Sequence, residues 1–235
     1  MTFSIVAHCK RTGKIGVAQS TGSPAVGRKA ASIIPGKAVI LVQGGHNHYL
    51  LRLAESLVNA GYKAQKVIKV IEATANAPGR RQLVVLYADG DVAALTGDGP
   101  TPVQWKGHII GDGVVVAGNR LVSDKVAPAM MKAFADSGDK ELEERLMRAI
   151  EAGRDAGGQN DGQYSSILWV YDKHPYPMYD LRVDMSKDPV GDLRKLFDWY
   201  QPLVPYYARC YEGLEVATFH DYLKSINWPT NGVGA

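Results

Sequence analysis

KAVILVQGG (Lys37–Gly45) is a continuous apolar run closed by two glycines. Its length suits a strand, and the lack of polar alternation predicts one buried on both faces. Directly after it the period changes. Leu50, Leu53, Ala54, Leu57 and Val58 recur at helical spacing, and Gly61 stands where a C-terminal cap belongs. A second helix follows with Val67, Ile68 and Ile71 as its apolar face, while Lys63, Lys66 and Lys69 lie on another, solvated face.

Working outward, FSIVA (Phe3–Ala7) and IGVAQST (Ile15–Thr21) read as a hairpin turned at KRTGK. Downstream, QLVVLYADGDVAALTGDG (Gln82–Gly99) reads as two strands around Asp89-Gly90, extended by segments at Trp105–Ile110 and Val114–Ala117. Two helices return. One carries Val122, Val126, Met130 and Phe134; the other carries Leu142, Leu146 and Ile150 and is expected to stop at Gly153. Ser165–Asp172 and Met178–Asp184 form a third β block, before a helix opened by Asp188-Pro189. From Tyr200 the chain is rich in Tyr and Pro and has little period. The order β-β-β, α-α, β-β-β, α-α, β-β, α disfavours a parallel sheet with alternating helices. It fits an α+β protein in which two antiparallel sheets lie between two helix layers. One domain is expected over 1–199, with 200–235 as an aromatic extension packing on it or on a neighbouring subunit.

Composition narrows the function classes. With 235 residues, 46% apolar and 22% charged, the chain is an ordinary globular protein with enough apolar residues for a core. The net charge of +3 reflects 27 basic and 24 acidic residues and gives no basic face, so no nucleic-acid partner is expected. No apolar run is long enough to span a membrane, and MTFSIVAHCKR does not read as a signal peptide, so no membrane association is expected. Two distant cysteines, Cys9 and Cys210, exclude a disulfide framework or a four-cysteine zinc site and make a reducing cytoplasm the default.

Several site motifs are absent. Gly111-Asp-Gly113 lacks the later glycine of a dinucleotide loop, since position 116 is Val. There is no phosphate loop of the Gly-Lys-Ser/Thr kind and no Gly-x-Ser-x-Gly elbow. His46, His48, His108 and Asp112 match no metal-ligand spacing, so no metal is expected. Cys9 follows a strand and reads as packed. Thr2 is chemically distinct. Removal of the initiator Met before a small residue would leave Thr2 first, with a free α-amine able to act as base for its own hydroxyl. A strand beginning at Phe3 would hold that hydroxyl at a sheet end.

TFSIVA, TGKIGVAQST with AVG after it, RQLVVLYADGDVAALTG, AGNRL, EERLMRAIEAGRDAGG and DLRVD-x₃-DPVGDLRKL together resemble a bacterial Ntn-hydrolase-like family, domain of unknown function 1028, from Thr2 to about Leu196. The resemblance implies a four-layer αββα sandwich of the N-terminal-nucleophile hydrolase type, with Thr2 at the nucleophile position and a homo-oligomer. Gly118-Asn119 matches the family's Gly-Asn pair, and Asn119 would donate to an oxyanion or satisfy a turn. Ser20 and Thr21 match the end of the second strand, where they would orient the Thr2 amine or cap the strand. Gln43 would bind a substrate amide or carboxylate. GGQNDGQYS (Gly157–Ser165) departs from the family's Gly-Gly-Asp-Arg-Arg-Gly-x-Gln-Ser: Gln159 replaces the acid, Asn160 and Asp161 replace two arginines, and Tyr164 replaces a Gln. GGHNHY likewise stands where a Tyr-rich segment is usual. Asn160, Asp161, Tyr164, His46 and His48 are therefore expected to line a pocket of altered specificity, with a histidine assisting proton transfer. The expected function is hydrolysis of a C–N bond in a small molecule by Thr2, as amide hydrolysis or deamination with ammonia release, without a cofactor. The alternative is an Ntn-fold metabolite-binding or assembly protein without chemistry.

Overall fold

Alternate positions of the run Ala38–Gln43 meet two different partners, and this produces the layering. The structure, a computed structural model, describes residues 2–45, 47–99 and 105–229. Strand β4 (Ala38–Gln43) lies in a four-stranded sheet with β3 (Ala31–Ile34), β5 (Gln82–Tyr87) and β6 (Val92–Thr96), in the order β3-β4-β5-β6. Ala38, Ile40 and Val42, with Leu83, Val85 and Tyr87 of β5, pack under helices α1 (His48–Asn59) and α2 (Ala64–Thr74). Val39 and Leu41, with Val84 and Leu86, face the other way into a second apolar layer.

The second sheet closes that layer. Its six strands run in the order β10-β9-β2-β1-β8-β7, formed by β1 (Thr2–His8), β2 (Ile15–Thr21), β7 (Trp105–Gly111), β8 (Val114–Leu121), β9 (Ser165–Tyr171) and β10 (Tyr179–Val183). Every paired strand in both sheets is antiparallel. Val6, Val17, Val115, Ala117 and Ile167 fill the space between the sheets. Helices α3 (Val126–Asp136) and α4 (Leu142–Asp155) cover the outer face. Two glycines let α4 approach closely. A Cβ on Gly16 would lie 2.7 Å from the Trp169 carbonyl and 2.8 Å from Leu146 Cδ1, and one on Gly153 would lie 2.9 Å from Met130 Sδ. These contacts build two antiparallel sheets between two helical layers, as the block order suggested.

Several local expectations are corrected. Gly153 does not stop its helix; it is a buried packing position, and α4 runs on to Asp155. Val122 lies before α3, its N–H donating to the Gly158 carbonyl. The four-residue strand β3 is too short to show a period. Asn119 lies inside β8 rather than in a turn. The turns at Gly13 (φ 73°) and Gly90 (φ 94°), and the cap at Gly61 (φ 84°), stand where the sequence placed them.

The chain divides into two compact units, residues 1–194 and 195–235, with the division inside α5 (Pro189–Tyr200). Asp188 accepts the Gly191 N–H at 3.0 Å at the start of this helix. In the second unit the segment read as aperiodic forms two short helices, α6 (Val204–Tyr211) and α7 (Phe219–Ser225). Its aromatics hold it together: Tyr206 lies 4.9 Å from Tyr222 and 5.3 Å from Phe219 between ring centroids, and Tyr222 donates to the Pro202 carbonyl.

Candidate active site

Five strands turn polar at the same end of the inter-sheet layer. Reading along each on its inward face gives Val6, Ser4 and Thr2; Val17, Gln19 and Thr21; Leu41 and Gln43; Val84 and Gln82; Val115, Ala117 and Asn119. Register brings these positions together, because Thr2 pairs with both Thr21 and Asn119, Ser4 with Gln19, and Gln43 with Gln82. A residue that would be anomalous in one apolar strand is therefore part of a shared polar end.

The polar groups there are bonded to one another, as burial requires. Thr2 is 6% exposed, and its Oγ1 lies 3.2 Å from Thr21 Oγ1. Ser4 Oγ accepts from Gln43 Nε2 at 2.7 Å and from Gln19 Nε2 at 2.9 Å. Asn119 Nδ2 donates to Gln82 Oε1 at 2.9 Å and to Gln43 Oε1 at 3.4 Å. Gln82 Nε2 serves the Gly118 and Gly107 carbonyls, both at 2.9 Å, and Thr96 Oγ1 at 3.0 Å. Thr96 in turn lies 2.9 Å from His108 Nδ1. Burial pushes the His108 pKa below the usual imidazole value. This chain ties the two sheets together beside Thr2.

Thr2 opens on a cavity of about 170 Å³ lined by Thr21, Ser23, Ala30, Val42, Gln43, Gly44 and Gly45. Gly44 (φ 78°) has to be glycine, since a Cβ there would fall 1.9 Å from the Arg80 carbonyl. The turn thus presents bare backbone to the cavity.

The structure gathers Thr2, Thr21, Gln43 and Asn119 at this end. It separates the rest. Ser20 faces the opposite side of β2, where its hydroxyl donates to the Ser165 carbonyl at 3.2 Å. Strand alternation makes this unavoidable once Thr21 faces inward. Asn119 gives both amide hydrogens to glutamine carbonyls, which makes it a brace rather than a free donor. His48, the first residue of α1, is exposed and lines a different cavity with Arg28, Trp169 and Tyr171. His46 lies outside the described residues. The loop after α4 crosses from the end of β8 to the end of β2: Asn160 N–H donates to the Arg120 carbonyl and Tyr164 N–H to the Thr21 carbonyl. Asp161 accepts from Arg120 Nη2 at 2.5 Å. These three residues frame the Thr2 end through backbone and rim contacts; none lines the cavity. Cys9 is buried, and although burial opposes its ionisation, hydrogen bonds from Thr12 and Arg11 hold its pKa below the usual thiol value. Among the described residues no three His, Cys, Asp or Glu side chains are grouped to hold a metal, and no helix is long and apolar enough to cross a membrane. Ser4, Gln19 and Gln82 escaped the sequence reading; the signal was a polar residue two places beyond the last inward Val, Leu or Ala on strand after strand.

The chain belongs to a family of unknown function, DUF1028, whose profile matches residues 2–193. The fold is shared with a crystal structure of a Silicibacter pomeroyi protein of the same family, at 27% identity and a TM-score of 0.76 over 85% of each chain. A weaker likeness links it to Anbu (ancestral beta-subunit) from Yersinia bercovieri, at 12% identity and a TM-score of 0.40, covering 92% of this chain and 100% of that one. Anbu from Hyphomicrobium stands similarly, at 10% identity and 0.42 over 92% and 99%. These two scores are too low to carry an argument. No curated protein matches the chain.

Proposed function

We propose that this protein is an N-terminal-nucleophile hydrolase of the αββα type that cleaves a C–N bond in a small molecule, with Thr2 as nucleophile once Met1 is removed. One observation carries the reading: the residue that follows the initiator Met is also the end of a central strand, and its hydroxyl opens on a cavity at the polar end of the inter-sheet layer.

In this reading Thr2 Oγ1 attacks the substrate carbonyl carbon and its proton passes to the Thr2 α-amine. The amine then protonates the departing nitrogen, leaving an acyl ester on Thr2. Water attacks the ester, gives a proton to the amine, and releases the acid with the hydroxyl restored. Thr21, 3.2 Å from the nucleophile, orients it. The negative charge on the former carbonyl oxygen is met by backbone N–H groups of the Gly44–Gly45 wall, since the Asn119 amide is engaged with Gln82 and Gln43. Each such donor is worth about 2.7–4 kcal/mol in well-studied enzymes. An imine-type substrate, or an enamine once protonated at carbon, would take Thr2 Oγ1 at its C=N carbon while the nitrogen takes a proton from the amine. Ammonia leaves, water adds to the same carbon and Thr2 departs with its proton restored, so C=NH and water become C=O and ammonia. No cofactor enters these steps.

Intact-mass measurement of the protein from its native host is expected to show a chain beginning at Thr2. Thr2→Ala is expected to abolish ammonia or amine release while preserving the fold, and Thr2→Ser to retain part of it. Turnover by a chain with Met1 attached, or by Thr2→Ala, would sink the mechanism. Retention of Met1 would leave the cavity a binding site without this chemistry.

A further inference from the structure

We propose that a second cavity, lined from the outer edges of both sheets, binds a planar ring that carries one phosphate or carboxylate group and a hydrogen-bond donor. The inference does not depend on the Thr2 chemistry. β3 is the edge of the four-stranded sheet and β10 the edge of the six-stranded one. Both contribute to this cavity, with β9 and α1, and it measures about 310 Å³ against about 170 Å³ at Thr2. That reaches the lower end of the roughly 300–1,000 Å³ of pockets that enclose organic ligands.

Its lining departs from the apolar layer on which it opens. Trp169 and Tyr171 lie two residues apart on β9 and pack against that layer, so both face the same side of the strand. Asp180 pairs with Trp169 across β9 and β10 and shares that face. The rings offer a surface on which a planar ligand can stack. The basic groups come from other elements. Arg28 ends the one-turn helix Val26–Arg28, His48 opens α1, and Arg52 lies one turn further on.

These groups are held in place before any ligand arrives. Ala25, which opens the turn of Arg28, has φ 56°, a left-handed conformation unfavourable for a residue with a Cβ. Two bonds fix it there: Ala25 N–H donates to the Asp184 carbonyl at 2.9 Å, and Val26 N–H to Ser165 Oγ at 3.0 Å. Gly27 lets the turn lie against the indole, since a Cβ would come 3.0 Å from Trp169 Cζ2. Arg52 Nη1 donates to Glu55 Oε2 at 2.7 Å, and Ser32 donates to Glu55 Oε1 at 2.6 Å. Glu55 is thereby matched within the wall, and Arg28, His48 and Asp180 set the polarity of the cavity. A phosphate or carboxylate suits the planar fork of Arg28. A donor on the ring suits the Asp180 carboxylate, which would repel a second anionic group.

The test follows the indole N–H resonance of Trp169, assigned with Trp169→Phe, and the backbone resonance of Arg28 in the full-length protein. The probes are adenosine 5′-monophosphate and 4-aminobenzoate as ring-bearing anions, adenosine and 4-aminobenzamide as their neutral counterparts, and inorganic phosphate as an anion without a ring. At least one ring-bearing anion is expected to shift both resonances at concentrations about tenfold below those the other three probes need. A response to the nucleotide alone marks a phosphate ligand, and one to aminobenzoate alone a carboxylate. Arg28→Gln, a change at an exposed side chain, is expected to weaken that binding about tenfold. The inference is overturned if neither anion moves the Trp169 resonance, or if a neutral ring or inorganic phosphate binds as tightly. It is overturned equally if Arg28→Gln leaves the affinity unchanged, or if the shifts fall on Thr21 and Gly44 at the other cavity instead.

Discussion

Ser4 illustrates how one small side chain fixes the candidate site. It has no exposed surface, and its hydroxyl oxygen accepts from both Gln43 and Gln19. Ala at this position would leave two buried amide N–H groups without an acceptor, costing about 1–3 kcal/mol each if nothing relaxes. Urea denaturation of Ser4→Ala should therefore show a lower midpoint with an unchanged slope. Because Gln43 forms part of the cavity wall, the same variant should also lose affinity for whatever the cavity holds. A midpoint within error of wild type would mean that the glutamines find other partners, and that the polar end is less constrained than its hydrogen bonds imply.

At the scale of elements, α4 is fastened at both ends by ion pairs. Near its start Glu141 and Glu143 meet Lys14 from the β1–β2 turn, with Glu143 and Lys14 both largely buried. Further along, Arg194 bridges Glu144 and Glu151, and Arg148 adds a second bond to Glu144. Burial alone would raise the Glu144 pKa, but its bonds to Arg194 and Arg148 outweigh this and hold it below the usual carboxylate value. The bond from Lys14, then that from Arg11, lowers Glu141 in the same direction. A depressed folded-state pKa means the unfolded chain binds more protons in acid. The stabilisation is complete above the unfolded value of about 4.3 and is lost as pH falls through the lower folded values. Thermal scans should accordingly show Tm falling below about pH 4.3. Glu144→Gln should lower Tm at neutral pH and shrink the acid-induced drop. A variant with the wild-type pH dependence would place the acid sensitivity elsewhere.

For the whole molecule, the open question is what the unit 195–235 does. Its own helices bury no residue fully, and Tyr211, Leu214 and Phe219 are 51%, 46% and 40% exposed. Aromatic side chains held at that exposure are typical of a surface that meets another chain. Pro202 and Pro205 limit the freedom such a segment would lose on docking. A homo-oligomer using this unit is the expected state. Truncation after Tyr200 should move the protein toward monomer on size-exclusion chromatography with light scattering. An unchanged mass with unchanged kinetics would remove the unit from both assembly and catalysis.

Periodicity in the sequence was sufficient for the layers, because burial imposes its period locally. Ala38–Gln43 had to be a strand covered on both faces, and the helical repeats after it had to lie on one of them. The hairpin glycines were legible for the same reason, since a positive φ at Gly13 or Gly90 is a property of the turn alone. Thr2, the proposed nucleophile, was singled out by its place after Met1 alone. The identity of its neighbours was not. Gln19, Gln43, Gln82 and Asn119 are separated by up to a hundred residues, and each looks like an isolated polar substitution in its own strand. Only strand register, fixed by pairing across two sheets, stacks them at one end and uses up the Asn119 amide inside the stack. Ser20 shows the converse. It adjoins Thr21 in sequence, yet the two-residue period of a strand sends its side chain to the other face of the sheet. Sequence therefore determined where the strands and helices run and that Thr2 ends one strand, whereas the long-range pairing of strands decided which side chains share a space with it.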